Sequence, residues 1–319
     1  MPIYSGPIID PHMHLWDVSM GRHPWLKPSG GATAVSGLES IRRNFLTEDY
    51  RQASMAHDVV ASVHVEALWD PADPGGELAW LDTLDKRSGV AARYVGSAPF
   101  GTKDALPIIE RESANPRLNG FRAIISHHPT NPAKSWAKSG DVVLDPAWRR
   151  DVALLAKRGL TLDLMMYPYQ AEGVAALARA CPDLQIVVNH SGSPIDRDED
   201  GLARWREAVR RLADAPNIAI KVNMVGYDPN PTYEAVKDMA LHCIACFGPG
   251  RTLFASDWPV STRYIAYGGI FDHFKRMTAG FSPDEQTALF HGNAARLYRV
   301  QPAPRAFAQA LRASSASKT

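Results

Sequence analysis

The chain has 319 residues, 45% of them hydrophobic and 22% charged, and its 35 Lys and Arg against 34 Asp and Glu leave a formal net charge of +1. That composition supplies the core of one large domain and gives no electrostatic basis for gripping nucleic acid or an anionic membrane. No apolar run approaches the ~18 residues of a membrane span, Met1–Asp10 has no leader-like segment, and three cysteines cannot build a disulfide framework, so a soluble, cytoplasmic α/β protein is expected.

Eight short, β-branched apolar runs follow one another about 35 residues apart: Ile8–His12, Val59–Glu66, Arg93–Ala98, Gly120–Ile125, Leu160–Met166, Gln185–His190, Asn217–Asn223 and Thr252–Asp257. Helical patterns lie between them. Thr47 is expected to cap Glu48–His57, and Glu77–Arg87 carries Leu78, Leu81 and Leu84 at helical spacing. Pro146–Arg158, Ala171–Ala180, Leu202–Ala213 and Tyr233–Phe247 read the same way, while Gly75-Gly76 and Gly268-Gly269 read as turns. Ser282-Pro283-Asp284-Glu285 is a capping box opening a helix to about Tyr298. Eight βα units read as a (β/α)8 TIM barrel in a single domain over residues 1–300, with a doubly wound open sheet as the alternative. The long, Gly- and Pro-rich loop after strand one, Asp17–Ser40, is a candidate lid. The Ala/Ser-rich tail, residues 301–319, is expected to be partly mobile.

In such a barrel the chemistry stands at the C-terminal ends of the strands. Strand one ends in Asp10-Pro11-His12-Met13-His14, and residues two apart in an extended chain point the same way. His12 and His14 can therefore converge on a divalent metal or a carbonyl oxygen; alternatively they are two loop histidines held by hydrogen bonds. Strand two ends in His64-Val65-Glu66, strand four carries Arg122 ahead of His127 and His128, strand six ends in Asn189-His190, and strand seven in Lys221-Val222-Asn223. Buried charges must pair or serve function, and Lys221 with Glu66 is a candidate pair. Asp257 at the last strand end is a candidate metal ligand or general base, or else a turn cap. Cys243-Ile244-Ala245-Cys246 lacks a second pair and reads as core packing.

The segments Asp-Pro-His-Met-His-Leu-Trp-Asp (10–17), His-Pro-Trp-Leu (23–26), His-Val-Glu-Ala (64–67), Asn-His-Ser-Gly-Ser-Pro (189–194), Phe-Ala-Ser-Asp-Trp-Pro-Val (254–260) and Gly-Asn-Ala-Ala-Arg-Leu-Tyr (292–298) resemble the amidohydrolase superfamily. More narrowly they resemble its amidohydrolase-related branch, which holds sugar-acid lactonases and 2-pyrone-4,6-dicarboxylate lactonase. The resemblance implies a distorted TIM barrel, hydrolysis of a cyclic ester, and site positions at His12, His14, His190 and Asp257. It implies either no metal or one divalent ion (Zn or Mn) on His12, His14 and Asp257. A binuclear centre is not expected, since strand five ends in Asp163-Leu164-Met165-Met166-Tyr167 without a histidine and strand four offers Arg122.

On this resemblance Asp257 takes a proton from water and returns it to the leaving oxygen, while His12, His14 and His190 polarise the carbonyl. Arg122 anchors the substrate, and Glu66, His128, Tyr167, Asn223 and Trp16 are further contact candidates, with Trp25 and Trp258 as pocket walls. The partner is a small molecule; whether the chain forms a homo-oligomer is open. The alternatives are a metal-dependent decarboxylase of an aromatic or related acid, a non-catalytic binding barrel, and a cyclic amide hydrolase.

Overall fold

Eight parallel strands pair in sequence order around a barrel in the computed structural model, which describes residues 3–27, 37–223 and 232–301. They are β1 (Ile8–Met13), β2 (Val59–Val65), β3 (Arg93–Ser97), β4 (Leu118–Ile124), β5 (Thr161–Met165), β6 (Ile186–Val188), β7 (Ile218–Val222) and β8 (Thr252–Phe254). The helices between them are α1 (Thr47–Ser54), α2 (Gly76–Thr83), α3 (Ala105–Glu112), α4 (Pro146–Lys157), α5 (Ala171–Ala180), α6 (Glu199–Ala213), α7 (Tyr233–Phe247) and α8 (Tyr267–Met277). This is the expected distorted (β/α)8 barrel with a long connection after β1. Of the lid segment Asp17–Ser40, residues 28–36 lie outside the described residues, as does the tail beyond residue 301.

Several boundaries differ from expectation for local reasons. Thr47 opens α1 rather than capping it; the cap is Leu46, whose N–H is accepted by Asp49. Helix α6 starts at Glu199 because Asp198 caps it by accepting from the Gly201 N–H, so the glycine sits inside the first turn. Helix α2 stops at Thr83, and Lys86 folds back to donate to the Leu81 carbonyl. Gly75 is the left-handed cap of α2, whereas Gly268 and Gly269 lie within α8. The Ser282 capping box forms, opening α9 (Pro283–Thr287), which runs through a wide turn into α10 (Asn293–Leu297).

Strand alternation divides the core in two. Ile9, Val63, Val95, Val187, Ala219 and Leu253 fill the barrel interior, joined by Leu297, Tyr298 and Val300 of the C-terminal segment. Their neighbours in sequence, such as Ile8, Leu162, Ile186, Ile218 and Phe254, pack outward against the helices. Cys243 is buried in this outer layer, as expected. The barrel closes just beyond β8: Met13 bridges Trp258, Asp257 N–H donates to the His12 carbonyl at 2.8 Å, and His14 N–H donates to the Trp258 carbonyl at 2.7 Å. A register shift in β1 between Asp10 and Met13 lets Asp10 face outward while His12 faces in.

Candidate active site

The closure of β8 onto β1 gathers the expected group at one point. Asp257 Oδ1 lies 3.3 Å from His12 Nε2 and 3.2 Å from His14 Nε2. The His190 ring, brought in at the end of β6, stands with its centroid 5.0 Å from that of His12. All four residues are buried. His190 and Asp257, with Ser191 and Ser193, have positive φ of 48–55° without being glycine. Such left-handed backbone costs about 1–2 kcal/mol per residue and clusters where function over-determines the chain.

Hydrogen bonds define what each ring offers. His14 Nδ1 donates to the Val65 carbonyl at 2.7 Å, which turns Nε2 toward the Asp257 carboxylate. Asn223 Nδ2 donates to His190 Nδ1 at 2.7 Å, while Asn223 Oδ1 is buried without a hydrogen-bond partner among the described residues. Turning that amide over lets Oδ1 accept from Nδ1–H and presents the His190 Nε2 lone pair inward. Both ring nitrogens of His12 are buried with no hydrogen-bond partner among the described residues.

Burial, with the nearby Lys221 charge, pushes His12 well below the ordinary histidine value. Burial also lowers His190, to about 4, against the pull of Asp257. Burial opposes ionisation of Asp257, yet His190, His14 and Arg122 outweigh it and hold its carboxyl below the usual range. The result is an ionised carboxylate beside two neutral imidazoles, His12 and His190.

One grouping among the described residues has the donor spacing for a metal: His12, His190 and Asp257, with ligand atoms within 4.8 Å of one another. It has His190 where the sequence reading had His14. Two neutral imidazoles and a carboxylate suit a divalent ion with an open position, and the orphaned nitrogens of His12 fit that role.

The surrounding charges pair differently from expectation. Lys221 does not meet Glu66. Its Nζ donates to Asp163 Oδ2 at 2.6 Å, both side chains being fully buried, and Asp163 also accepts from Asn189 and from the Tyr298 hydroxyl. Glu66 instead receives Arg122, Nε to Oε1 at 2.5 Å, with a second bond from the guanidinium to the Glu66 carbonyl at 2.7 Å. Each pair joins strands two apart, β5 with β7 and β2 with β4, because alternate strands contribute side chains to one interior layer.

Other candidates are tied to protein. His128 Nε2 donates to Asp196 at 3.1 Å while its Nδ1 accepts backbone N–H from Thr130 and Asn131. The Tyr167 hydroxyl donates to the Lys134 carbonyl, and Trp16 Nε1 to the Arg43 carbonyl. Trp258 packs edge-on against Phe45 and Tyr50. His64 turns toward α2 and donates to Glu77 at 3.0 Å. Beside the Glu66–Arg122 pair opens a cavity of about 590 Å³ between the loops after β2 and β3.

Sequence reading missed Asp10. Its buried carboxylate accepts the N–H of Ser256 at 3.0 Å and of His12 at 3.3 Å, the Ser256 hydroxyl at 2.5 Å and the Tyr50 hydroxyl at 2.9 Å. It thus ties together the two chain segments that carry His12 and Asp257. The signal was its place two residues before His12, with the outward turn of β1 hidden in the register shift.

A barrel of this kind, with histidines from strands one and six facing a strand-eight aspartate, defines a class of metal-competent hydrolases. The family model described as amidohydrolase matches residues 9–300, and the chain belongs to that family, within the amidohydrolase superfamily of enzymes. A Sinorhizobium fredii protein described as uncharacterized is 36% identical over 294 residues, 92% of this chain and 98% of that one. An L-fucono-1,5-lactonase of Burkholderia multivorans is 28% identical over 306 residues, 92% of this chain and 96% of its own. A crystal structure of a Burkholderia multivorans amidohydrolase with bound zinc shares the fold, with a TM-score of 0.77, 24% identity, and coverage of 93% of this chain and all of that one. No helix among the described residues is long and apolar enough to cross a membrane.

Proposed function

We propose that this enzyme hydrolyses the ring ester of a small lactone. The observation that carries the reading is the buried Asp257 carboxylate set 3.2 and 3.3 Å from the His14 and His12 imidazoles. Asp257, held ionised, accepts a proton from water as the water oxygen bonds to the lactone carbonyl carbon. The tetrahedral adduct collapses with cleavage of the ring C–O bond, and Asp257 returns the proton to the leaving alkoxide, giving a hydroxy acid. His14 orients Asp257, and His12 is the ring that faces the developing oxyanion, the His190 Nε2 lone pair being turned inward as a ligand atom. His12, His190 and Asp257 would hold a divalent ion (zinc is the ion in the related solved structure), and such an ion supplies Lewis-acid polarisation of the carbonyl.

Arg122 spends its guanidinium on Glu66. A carboxylated lactone would have to compete with that buried pair, so an uncharged lactone is favoured. The 28% identical L-fucono-1,5-lactonase agrees with this substrate class.

Acid release followed with a pH indicator across sugar lactones, pyrones and muconolactones tests the reading. Release is expected from at least one lactone, with kcat lowered about 10²–10⁴-fold in Asp257→Asn. Absence of release from every lactone, with carbon dioxide evolved from an aromatic acid, would replace it with the decarboxylase reading.

A further inference from the structure

Two buried titratable side chains, His64 and Glu77, take no part in the proposed reaction. They are 0% and 3% exposed, and a buried pair of this kind is a poor way to gain stability. What they hold is more telling.

Their proton positions follow from their partners. The Leu15 N–H can only donate, and it meets His64 Nδ1 at 3.2 Å, so Nδ1 carries a lone pair. Burial keeps the His64 ring neutral by pushing it well below the ordinary histidine value. Its one proton is therefore on Nε2, which donates to Glu77 Oε1 at 3.0 Å. The same oxygen accepts the Ala67 N–H at 2.8 Å.

Both ends of this chain of bonds border His14. Leu15 is the next residue along β1, and Val65, whose carbonyl takes the His14 Nδ1–H at 2.7 Å, lies between His64 and Ala67. The two strands thus hold each other reciprocally: the His14 ring bonds the β2 backbone, and the His64 ring bonds the backbone beside His14. The two rings stand perpendicular, with centroids 6.2 Å apart. One oxygen of Glu77 anchors the chain on either side of Val65. Without it, nothing holds the His64 proton on Nε2, the bond from Leu15 loses its acceptor when the ring turns, and the carbonyl that aims His14 is freed.

We propose that Glu77 is a positioning residue, which fixes the His14 ring against Asp257 through His64 and the Ala67 peptide. The kinetic consequence rests on the lactone reading above; the placement itself does not.

NMR spectra of the histidine ring nitrogens test the placement without any substrate. In the wild type His64 should carry its proton on Nε2 and none on Nδ1. The His14 signals should move in Glu77→Leu and return toward wild type in Glu77→Gln, whose carbonyl oxygen can accept both bonds. With a lactone that the wild type opens, Glu77→Leu should lower kcat by roughly 10–100-fold while leaving KM little changed, and Glu77→Gln should recover most of that loss. His64→Phe combined with Glu77→Leu should lose no more than the worse single variant, because the two act through one chain of bonds. A His64 proton on Nδ1, unmoved His14 signals or wild-type kcat in Glu77→Leu, or losses that multiply in the double variant would overturn the positioning role while leaving lactone hydrolysis standing. The His64 signature decides even where Glu77→Leu fails to fold. A wild type that opens no lactone would remove the reading beneath the kinetics, and the spectra would then judge the placement alone.

Discussion

Replacing Lys221 by Met tests whether the barrel interior is held by one charged knot. Lys221 Nζ and Asp163 Oδ2 are 2.6 Å apart with no solvent exposure on either side chain. Burial lowers the lysine pKa against the pull of Asp163. Two terms oppose each other here: desolvation of both ions and their mutual attraction in a poorly screening interior. Net worth is therefore small, but removing one partner alone strands the other and costs about 3–5 kcal/mol. For a chain of 319 residues, with an unfolding entropy of about 2.1 cal/mol/K per residue, that is a fall of roughly 4–8 °C in Tm. Asn189 and the Tyr298 hydroxyl remain on Asp163, which places the expected loss toward the lower end. Asp163→Asn should also destabilise, and the double variant should lose about 0.5–3 kcal/mol less than the two single losses combined, because neither charge is then stranded. The assay is thermal denaturation of all four proteins followed by circular dichroism at one scan rate. A Lys221→Met protein within about 1 kcal/mol of wild type, or a double variant equal to the two losses added, would refute this account of the interior.

Two further outcomes follow from buried acids. Asp10→Asn should cost about 1–3 kcal/mol and lower kcat more than it changes KM, since Asp10 ties the His12 and Ser256 backbones rather than the substrate pocket; thermal scans with steady-state kinetics check this, and wild-type kcat would sink it. Glu77 is pushed up from 4.5 to about 7 by burial and then by the Glu66 charge. The folded chain therefore keeps a proton that the unfolded chain releases between those values, and stability should fall as pH rises from 4.5 to 7. In Glu77→Gln that slope should flatten, changing the stability difference from wild type by up to about 3 kcal/mol between pH 5 and pH 8. Urea titrations at the two pH values read it, and an unchanged slope would contradict it.

The strands were legible because most are short apolar runs with turn signals nearby. Helices α3 and α8 were not. Pro107 interrupts the first and Gly268-Gly269 opens the second, and both form because Ile108, Ile109, Ile270, Phe271 and Phe274 bury against the sheet. Tertiary burial overrides propensity there. At the site, the convergence of His12 and His14 is local and follows from strand alternation. The choice of charge partners is not local: Glu66 meets Arg122 and Lys221 meets Asp163 only because a closed barrel layers alternate strands. The placement of His190 beside His12 likewise depends on closure and on a left-handed turn at His190. No sequence pattern announces that turn.

The seam between β1 and β8 has a temporal meaning as well as a spatial one. His12 emerges from the ribosome near the start of synthesis and Asp257 near its end, and at about 5–20 residues per second their emergence is separated by roughly tens of seconds. Tyr298, whose hydroxyl reaches Asp163 at 2.9 Å, comes later still. The nascent chain therefore carries histidines without their aspartate, and a buried acid without its last donor, through most of translation. The group of His12, His14, His190 and Asp257 is assembled only when the barrel closes.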